Sequence, residues 1–169
     1  MQFQEFKANV EAWQEARGIY EHSTAQAQCL KAISEVGELA DAVIKGDREG
    51  LIDAIGDVAV CLVGVAKMVG HEFDLDYVFD EDKISVSEHD CALGASFAIG
   101  QLASSLRENP SKFTALTEVA LDMAFYGLQA NALVNNLALM DCCESAWNQI
   151  KDRKGRMVPG GAFVKEDEK

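Results

Sequence analysis

The stretch Gln28-Cys29-Leu30-Lys31-Ala32-Ile33-Ser34-Glu35-Val36-Gly37-Glu38-Leu39-Ala40, followed after Lys45-Gly46-Asp47-Arg48-Glu49 by Ile52-Asp53-Ala54-Ile55-Gly56-Asp57-Val58-Ala59-Val60, decides the fold. Its apolar residues return every three or four positions, the period of a helix with one buried side. Ser23 or Thr24 can cap the first helix, whose buried side is expected to carry Cys29, Ile33, Val36, Ala40 and Val43, flanked by Leu30 and Ile44. Gly46 ends that helix, and Asp47 starts a second one from Arg48 to about Val69, closed by Gly70. So short a link folds the two helices antiparallel.

Outward from this hairpin the pattern stays helical. Phe3, Phe6, Val10 and Trp13 mark a short amphipathic helix that Gly18 ends. A fourth helix is expected from about Ser87 to Glu108, a fifth from an Asn109 cap and a first-turn Pro110 to at least Leu128, and a last one from about Asn136 to Lys151. A polar tail with Pro159, Gly160 and Gly161 follows. Between His71 and Asp90 eight acidic residues face a single Lys83, which reads as a solvated connector. Its Asp74, Asp76, Asp80 and Asp82 lack the glycine and the closing glutamate that a calcium loop of the helix-loop-helix kind requires.

Two hairpins resemble each other. Setting Gly37-Glu38-Leu39-Ala40 on Gly100-Gln101-Leu102-Ala103 also brings Gly64 onto Gly127 without a gap. At the same offset Glu35 meets Ala98, Glu38 meets Gln101, Asp53 meets Leu116 and Asp57 meets Ala120. The expectation is one all-α domain over residues 1–169, a helical bundle of two similar hairpins: a catalytic one over about 22–70, a degenerate one over about 88–133, and a basic segment over about 136–169.

The chain has 169 residues and only two prolines, so a mainly helical course meets few breaks. A net charge of −13 argues against a grip on nucleic acid polymers or on an anionic membrane surface. Five cysteines without a CxxC pair read as reduced thiols, and the longest apolar run is broken by Lys67. A cytoplasmic protein is expected, including the cytoplasm of a phage-infected host.

The chemistry lies in the first hairpin. At 100° per residue, Glu35 and Glu38 are about 60° apart, Lys31 falls between their directions, and Gln28 lies about 20° beyond Glu35. Asp53 and Asp57, one turn apart on the next helix, sit in an otherwise apolar run, where an unpartnered carboxylate is costly and calls for a cation or strong hydrogen bonds. Oxygen ligands alone select magnesium, with manganese as a substitute. At the other end, Lys151, Arg153, Lys154 and Arg156 put four cations into six residues.

These residues carry a family resemblance. The run from Gln28 to Ala40, Lys45 to Glu49, and Asp53-Ala54-Ile55-Gly56-Asp57-Val58 resemble the all-α nucleoside triphosphate pyrophosphatases of the MazG type, especially compact phage-like members. The likeness covers about residues 3–70 and resumes over 141–166, where Ala146-Trp147-Asn148-Gln149-Ile150-Lys151-Asp152-Arg153-Lys154-Gly155-Arg156-Met157 is similar to their closing segment. It implies hydrolysis of a nucleoside triphosphate to the monophosphate and pyrophosphate, with purine deoxynucleotides such as dGTP favoured. By the same resemblance Glu35, Glu38 and Asp57 are metal ligands, and the basic closing residues hold phosphates. Ser34 stands where the family has the first of two glutamates, and Ala54 where it has an acid, so Asp53 becomes the fourth ligand with Asp41 in reserve.

On this reading Lys31, Lys151, Lys154 and Arg156 offset phosphate charge, Asn148 orients a phosphate or water, Gln28 contacts base or sugar, and Trp13 is a stacking surface. Association into a dimer or tetramer goes with the family. The alternatives are an all-α dUTP or dCTP pyrophosphatase and a non-catalytic helical interaction protein. A di-iron carboxylate bundle needs Glu-x-x-His pairs, and His22, His71 and His89 follow no glutamate at that spacing.

Overall fold

A computed structural model describes residues 1–73, 86–110 and 113–166. The acidic run through Asp74, Asp76, Asp80 and Asp82 lies outside the described residues. Seven helices and one small hairpin follow in order: α1 (Phe3–Ala16), α2 (Ile19–His22), α3 (Ala25–Lys45), α4 (Arg48–Val69), α5 (Glu88–Glu108), α6 (Ala115–Val134), α7 (Leu139–Ile150), β1 (Gly155–Met157) and β2 (Phe163–Lys165). The chain is all-α in class, as the periodicity requires. No helix among the described residues is long and apolar enough to cross a membrane.

The ends of the first hairpin follow local chemistry. The Thr24 side chain accepts from the Ala27 N–H, the Asp47 carboxylate accepts from the Gly50 N–H, and Gly46 and Gly70 close α3 and α4 in the left-handed region. Ser87 and Asp90 form a reciprocal capping box at the start of α5. Each such cap satisfies backbone groups that the helix itself cannot.

Two expected boundaries are corrected. Asn109 does not start the fifth helix; its N–H bonds the Ser105 carbonyl and so closes α5. The start falls at Thr114, whose hydroxyl accepts from the Thr117 N–H. The last helix begins at Leu139 rather than Asn136, because Asn136 adopts a left-handed φ of 55° in a turn whose carbonyls at Asn135 and Asn136 accept from Arg48. Within the polar tail β1 and β2 pair antiparallel with Arg156 opposite Val164, around a turn at Gly160 and Gly161.

The buried side of α3 is also shifted. Cys29, Ala32, Val36, Leu39 and Val43 are buried, whereas Leu30, Ile33 and Ile44 are exposed. Hydrophobicity alone ranked Ile33 above Ala32; α3 is covered by α4 and by α5 together, and the smaller alanine fits that approach.

α3 packs on α4 and α5 on α6, and the hairpins meet where α3 crosses α5. Leu39, Ile55, Leu62, Leu102, Leu121, Phe125 and Leu128 are wholly buried in the shared core. Burial agrees at two of the aligned positions, Glu35 and Ala98 being buried and Glu38 and Gln101 exposed, and differs at the other two, where Asp53 and Asp57 are half-buried while Leu116 is exposed and Ala120 buried. The aligned glycines differ in their neighbours, Gly64 lying against Gln14 of α1 and Gly127 against Ala95 of α5. A smaller cluster of Trp13, Ile19 and Ile150, with Met157 and Phe163 against it, joins α1, α2, α7 and the β-hairpin.

Candidate functional site

α3 and α4 turn their polar stripes toward that smaller cluster, and between them lies a cavity of about 480 Å³. Its polar end is lined by Gln28, Lys31, Ser34, Glu35, Asp57 and Arg153. Its other end is lined by Trp13, Ile19, Val60, Ile150 and Phe163. One chamber thus joins a charged half to an aromatic and aliphatic half.

Glu35 is only 3% exposed and pairs with the Lys31 ammonium one turn earlier, whose side chain extends to solvent. Burial alone would lower the Lys31 pKa, but the hydrogen bond and charge of Glu35, with Cys61 and Asp57 nearby, hold it above its ordinary value. Asp57 has no such neutralising partner. Burial first, then the charges of Glu35 and Asp53, push its carboxyl from 3.8 up to about 6, while Arg153 and Lys31 pull the other way. The Cys61 thiol behind it is pushed up by its burial and stays protonated, which removes it as a nucleophile.

Asp53 and Glu38 stand differently. Asp53 Oδ1 accepts from Gln149 Nε2 of α7 at 2.6 Å, outside the cavity wall. Glu38 is exposed, and the reserve candidate Asp41 is paired with Lys45 at 2.6 Å. Among the described residues no three His, Cys, Asp or Glu side chains converge as a ready-made metal cage. What the geometry offers a divalent cation is two carboxylates from facing helices, the buried Glu35 and the half-buried Asp57, with Asp53 close enough to raise Asp57. This all-oxygen, charge-repelling pair fits a hard cation better than it fits an empty core.

α7 is brought near by the lack of a side chain at Gly56. A Cβ there would lie 2.5 Å from the Cys142 carbonyl oxygen and 2.6 Å from Ala146 Cβ, so α4 and α7 touch through backbone. That crossing directs the segment after Ile150 over the cavity mouth. Arg17 of the α1–α2 turn holds it: Nε donates to the Arg153 carbonyl at 3.0 Å, and the guanidinium lies 4.7 Å over the Trp13 ring. Phe163 of β2 meets Trp13 edge-on, with centroids 5.5 Å apart.

The structure therefore brings together Gln28, Lys31, Glu35 and Asp57, with Trp13 at the far end. Asn148, Lys151, Lys154 and Arg156 do not line the cavity; Asn148 accepts from Lys151 at 2.8 Å on the exposed face. Arg153 does line it, and sequence reasoning passed it over. Its signal was present in the basic run, but the helix stops at Ile150, so helical phase could not say which cation turns inward. Phe163 lines the chamber too, and Arg17 and Ser23 fasten its far wall; Ser23 had read only as a helix cap, and nothing in the sequence marked Arg17.

Comparison with known proteins agrees with this chemistry. Residues 23–84 match the family model of the MazG nucleotide pyrophosphohydrolase domain. The match covers α3 and α4, the helices that carry Glu35 and Asp57, and bears out the resemblance there. A curated relative, an uncharacterised 18.2 kDa protein in the rep-hol intergenic region of Haemophilus phage HP1 (strain HP1c1), is 41% identical over 64 residues. That alignment takes in 38% of this chain and 39% of the phage protein, so the chain spans about two fifths of the length of the relative. No solved structure matches the chain.

Proposed function

We propose that the chain hydrolyses a nucleoside triphosphate between its α and β phosphates, releasing the monophosphate and pyrophosphate. One observation carries the reading: a single chamber holds two mutually repelling carboxylates, the buried Glu35 and the half-buried Asp57, beside Lys31 and Arg153 at one end and an aromatic pair at the other. A triphosphate needs cations and countercharge, and a nucleoside needs an apolar, stackable wall. The match to the MazG domain model supports the same reading.

Glu35, Asp57, Glu38 and Asp53 would hold magnesium or manganese. When bound, the cation would screen phosphate charge and make a water more acidic. The chain supplies the rest. The carboxylates of Glu35 and Asp57 only accept, so they align the attacking water and take its proton as its oxygen bonds to the α phosphorus. The bond from that phosphorus to the bridging oxygen breaks, and pyrophosphate leaves with the electron pair. Lys31 and Arg153 offset charge on the phosphates and on the leaving group. Lys151, Lys154, Arg156 and Asn148, just outside the wall, would serve the departing pyrophosphate. Trp13 and Phe163 take the nucleoside face.

A panel of deoxy- and ribonucleoside triphosphates with magnesium or manganese, scored separately for pyrophosphate and orthophosphate, tests this. Pyrophosphate from one or more of them is expected, with dGTP the foremost substrate to try and dUTP and dCTP the direct comparison. Orthophosphate alone, or no product, overturns the proposal. Light scattering on the same samples reads the dimer or tetramer expected of the family.

A further inference from the structure

Gln28 is 9% exposed, lines the cavity and has an orientation that its neighbours dictate. The Ser23 hydroxyl donates to the Gly161 carbonyl at 2.7 Å. Its one proton is thereby committed, so toward Gln28 it can only accept. Gln28 accordingly presents its amide nitrogen to Ser23 Oγ, at 3.0 Å, which uses one of its two N–H groups, while its oxygen has no hydrogen-bond partner among the described residues. The relay is fixed at its far end as well. Gly161 is left-handed, with φ of 80°, and a Cβ on it would stand 3.0 Å from Ser23 Oγ. A side chain there would disturb the backbone conformation and crowd the hydroxyl.

The other amide in the wall is already spent. Gln14 donates to the Val60 carbonyl at 3.2 Å and accepts from the Tyr20 hydroxyl at 2.7 Å, so both ends of it are used within the protein. Gln28 is the amide with a free end.

From this geometry we infer that Ser23 is a positioning residue which locks Gln28 as an acceptor, so that the chamber selects a nucleotide offering it an N–H or O–H donor. The inference rests on the nucleotide reading above and adds the polarity of the recognition. The donor belongs to the base, as an amine or ring N–H, or to the sugar, as a hydroxyl. Both meet the same oxygen and are separable by experiment. A site built around one committed acceptor penalises an analogue lacking the donor, because the acceptor is then left unpaired.

The test compares kcat/KM, and binding of α,β-imido analogues by calorimetry, for ATP, for purine riboside triphosphate, which has no donor on its base, and for a 3′-deoxy nucleotide. The wild-type chain and the S23A and Q28M variants are used. In the wild type one of the two donor-lacking analogues is expected to be worse than ATP by about tenfold, and which one identifies the source. S23A frees the amide to turn over, and this ratio is expected to collapse toward one. Q28M removes the acceptor at similar side-chain length and is expected to lose the preference, and a preference it retains overturns the assignment.

Loosening of the β-hairpin alone would lower all substrates equally and leave the ratio unchanged; that result in S23A overturns the assignment. Equal use of all three nucleotides by the wild type overturns it too. If the wild type binds none of these nucleotides and none of the wider panel, the inference falls together with the nucleotide reading. If it binds and cleaves them without the ratio, only the inference falls.

Discussion

Replacing Asp57 by asparagine should make the protein more stable at pH 8. In the folded chain burial and the charges of Glu35 and Asp53 carry this carboxyl from 3.8 to about 6. A carboxyl raised by folding binds its proton more tightly in the native state, so its favourable contribution is complete below about pH 4 and is lost as pH rises to about 6. At about 1.4 kcal/mol per pH unit, the charged form costs about 3 kcal/mol at pH 8. Asparagine is nearly the same shape and carries no charge, so it recovers up to that amount.

Urea unfolding of wild type and D57N, every half unit from pH 4 to pH 8, measures the effect. The two curves should lie close at pH 4 and separate between about pH 4 and pH 6, with the variant more stable above. Magnesium should narrow the gap at pH 8 by stabilising the wild type alone. Parallel curves, or a variant less stable at pH 8 without metal, would refute the claim that Asp57 is held as an uncompensated buried charge.

Other outcomes follow from neighbouring contacts. G56A forces α4 and α7 apart at the Cys142 carbonyl and should lower stability by about 1–3 kcal/mol in thermal or urea unfolding; a neutral result would mean that the helices do not touch there. E38Q should reduce pyrophosphate release at limiting magnesium by about tenfold or more, with partial recovery at high magnesium, and unchanged release would remove Glu38 from the ligand set. R17M keeps an unbranched apolar stem but not the bond to the Arg153 carbonyl, so KM for nucleotide should rise several-fold with kcat less affected; a fall in kcat alone would count against a holding role.

The hairpin of α3 and α4 was legible because caps, glycine stops and the 3.6-residue period all act locally. Thr24, Gly46, Asp47 and Gly70 stand at its ends, and Lys31, Glu35 and Gln28 share one stripe as their spacing requires. The start of α6 was misread because Asn109-Pro110 is an equally good local signal; tertiary hydrogen bonds among Ser105, Thr114 and Thr117 settle the start at Thr114. The inward cation was misassigned for a different reason. Beyond Ile150 the chain leaves helical geometry, and what aims Arg153 is a contact with Arg17, 136 positions away. Four carboxylates on two helices suggested full convergence, yet Gln149 reaches in from α7 and takes Asp53, which spacing within one hairpin could not disclose.

The fastening of the β-hairpin has a kinetic consequence. The helical hairpins close through contacts between neighbours in the chain, whereas the chamber's far wall waits for Ser23 to find Gly161 across 138 positions. Loop closure over such a span is slower than pairing adjacent helices. During refolding the helical signal should therefore be nearly complete while Trp13, in a W147F background, still reports a wall without Phe163. A nucleotide that binds only the finished chamber would reward its last and most distant contact, so ligand protection should be greatest in the part of the molecule that is slowest to assemble.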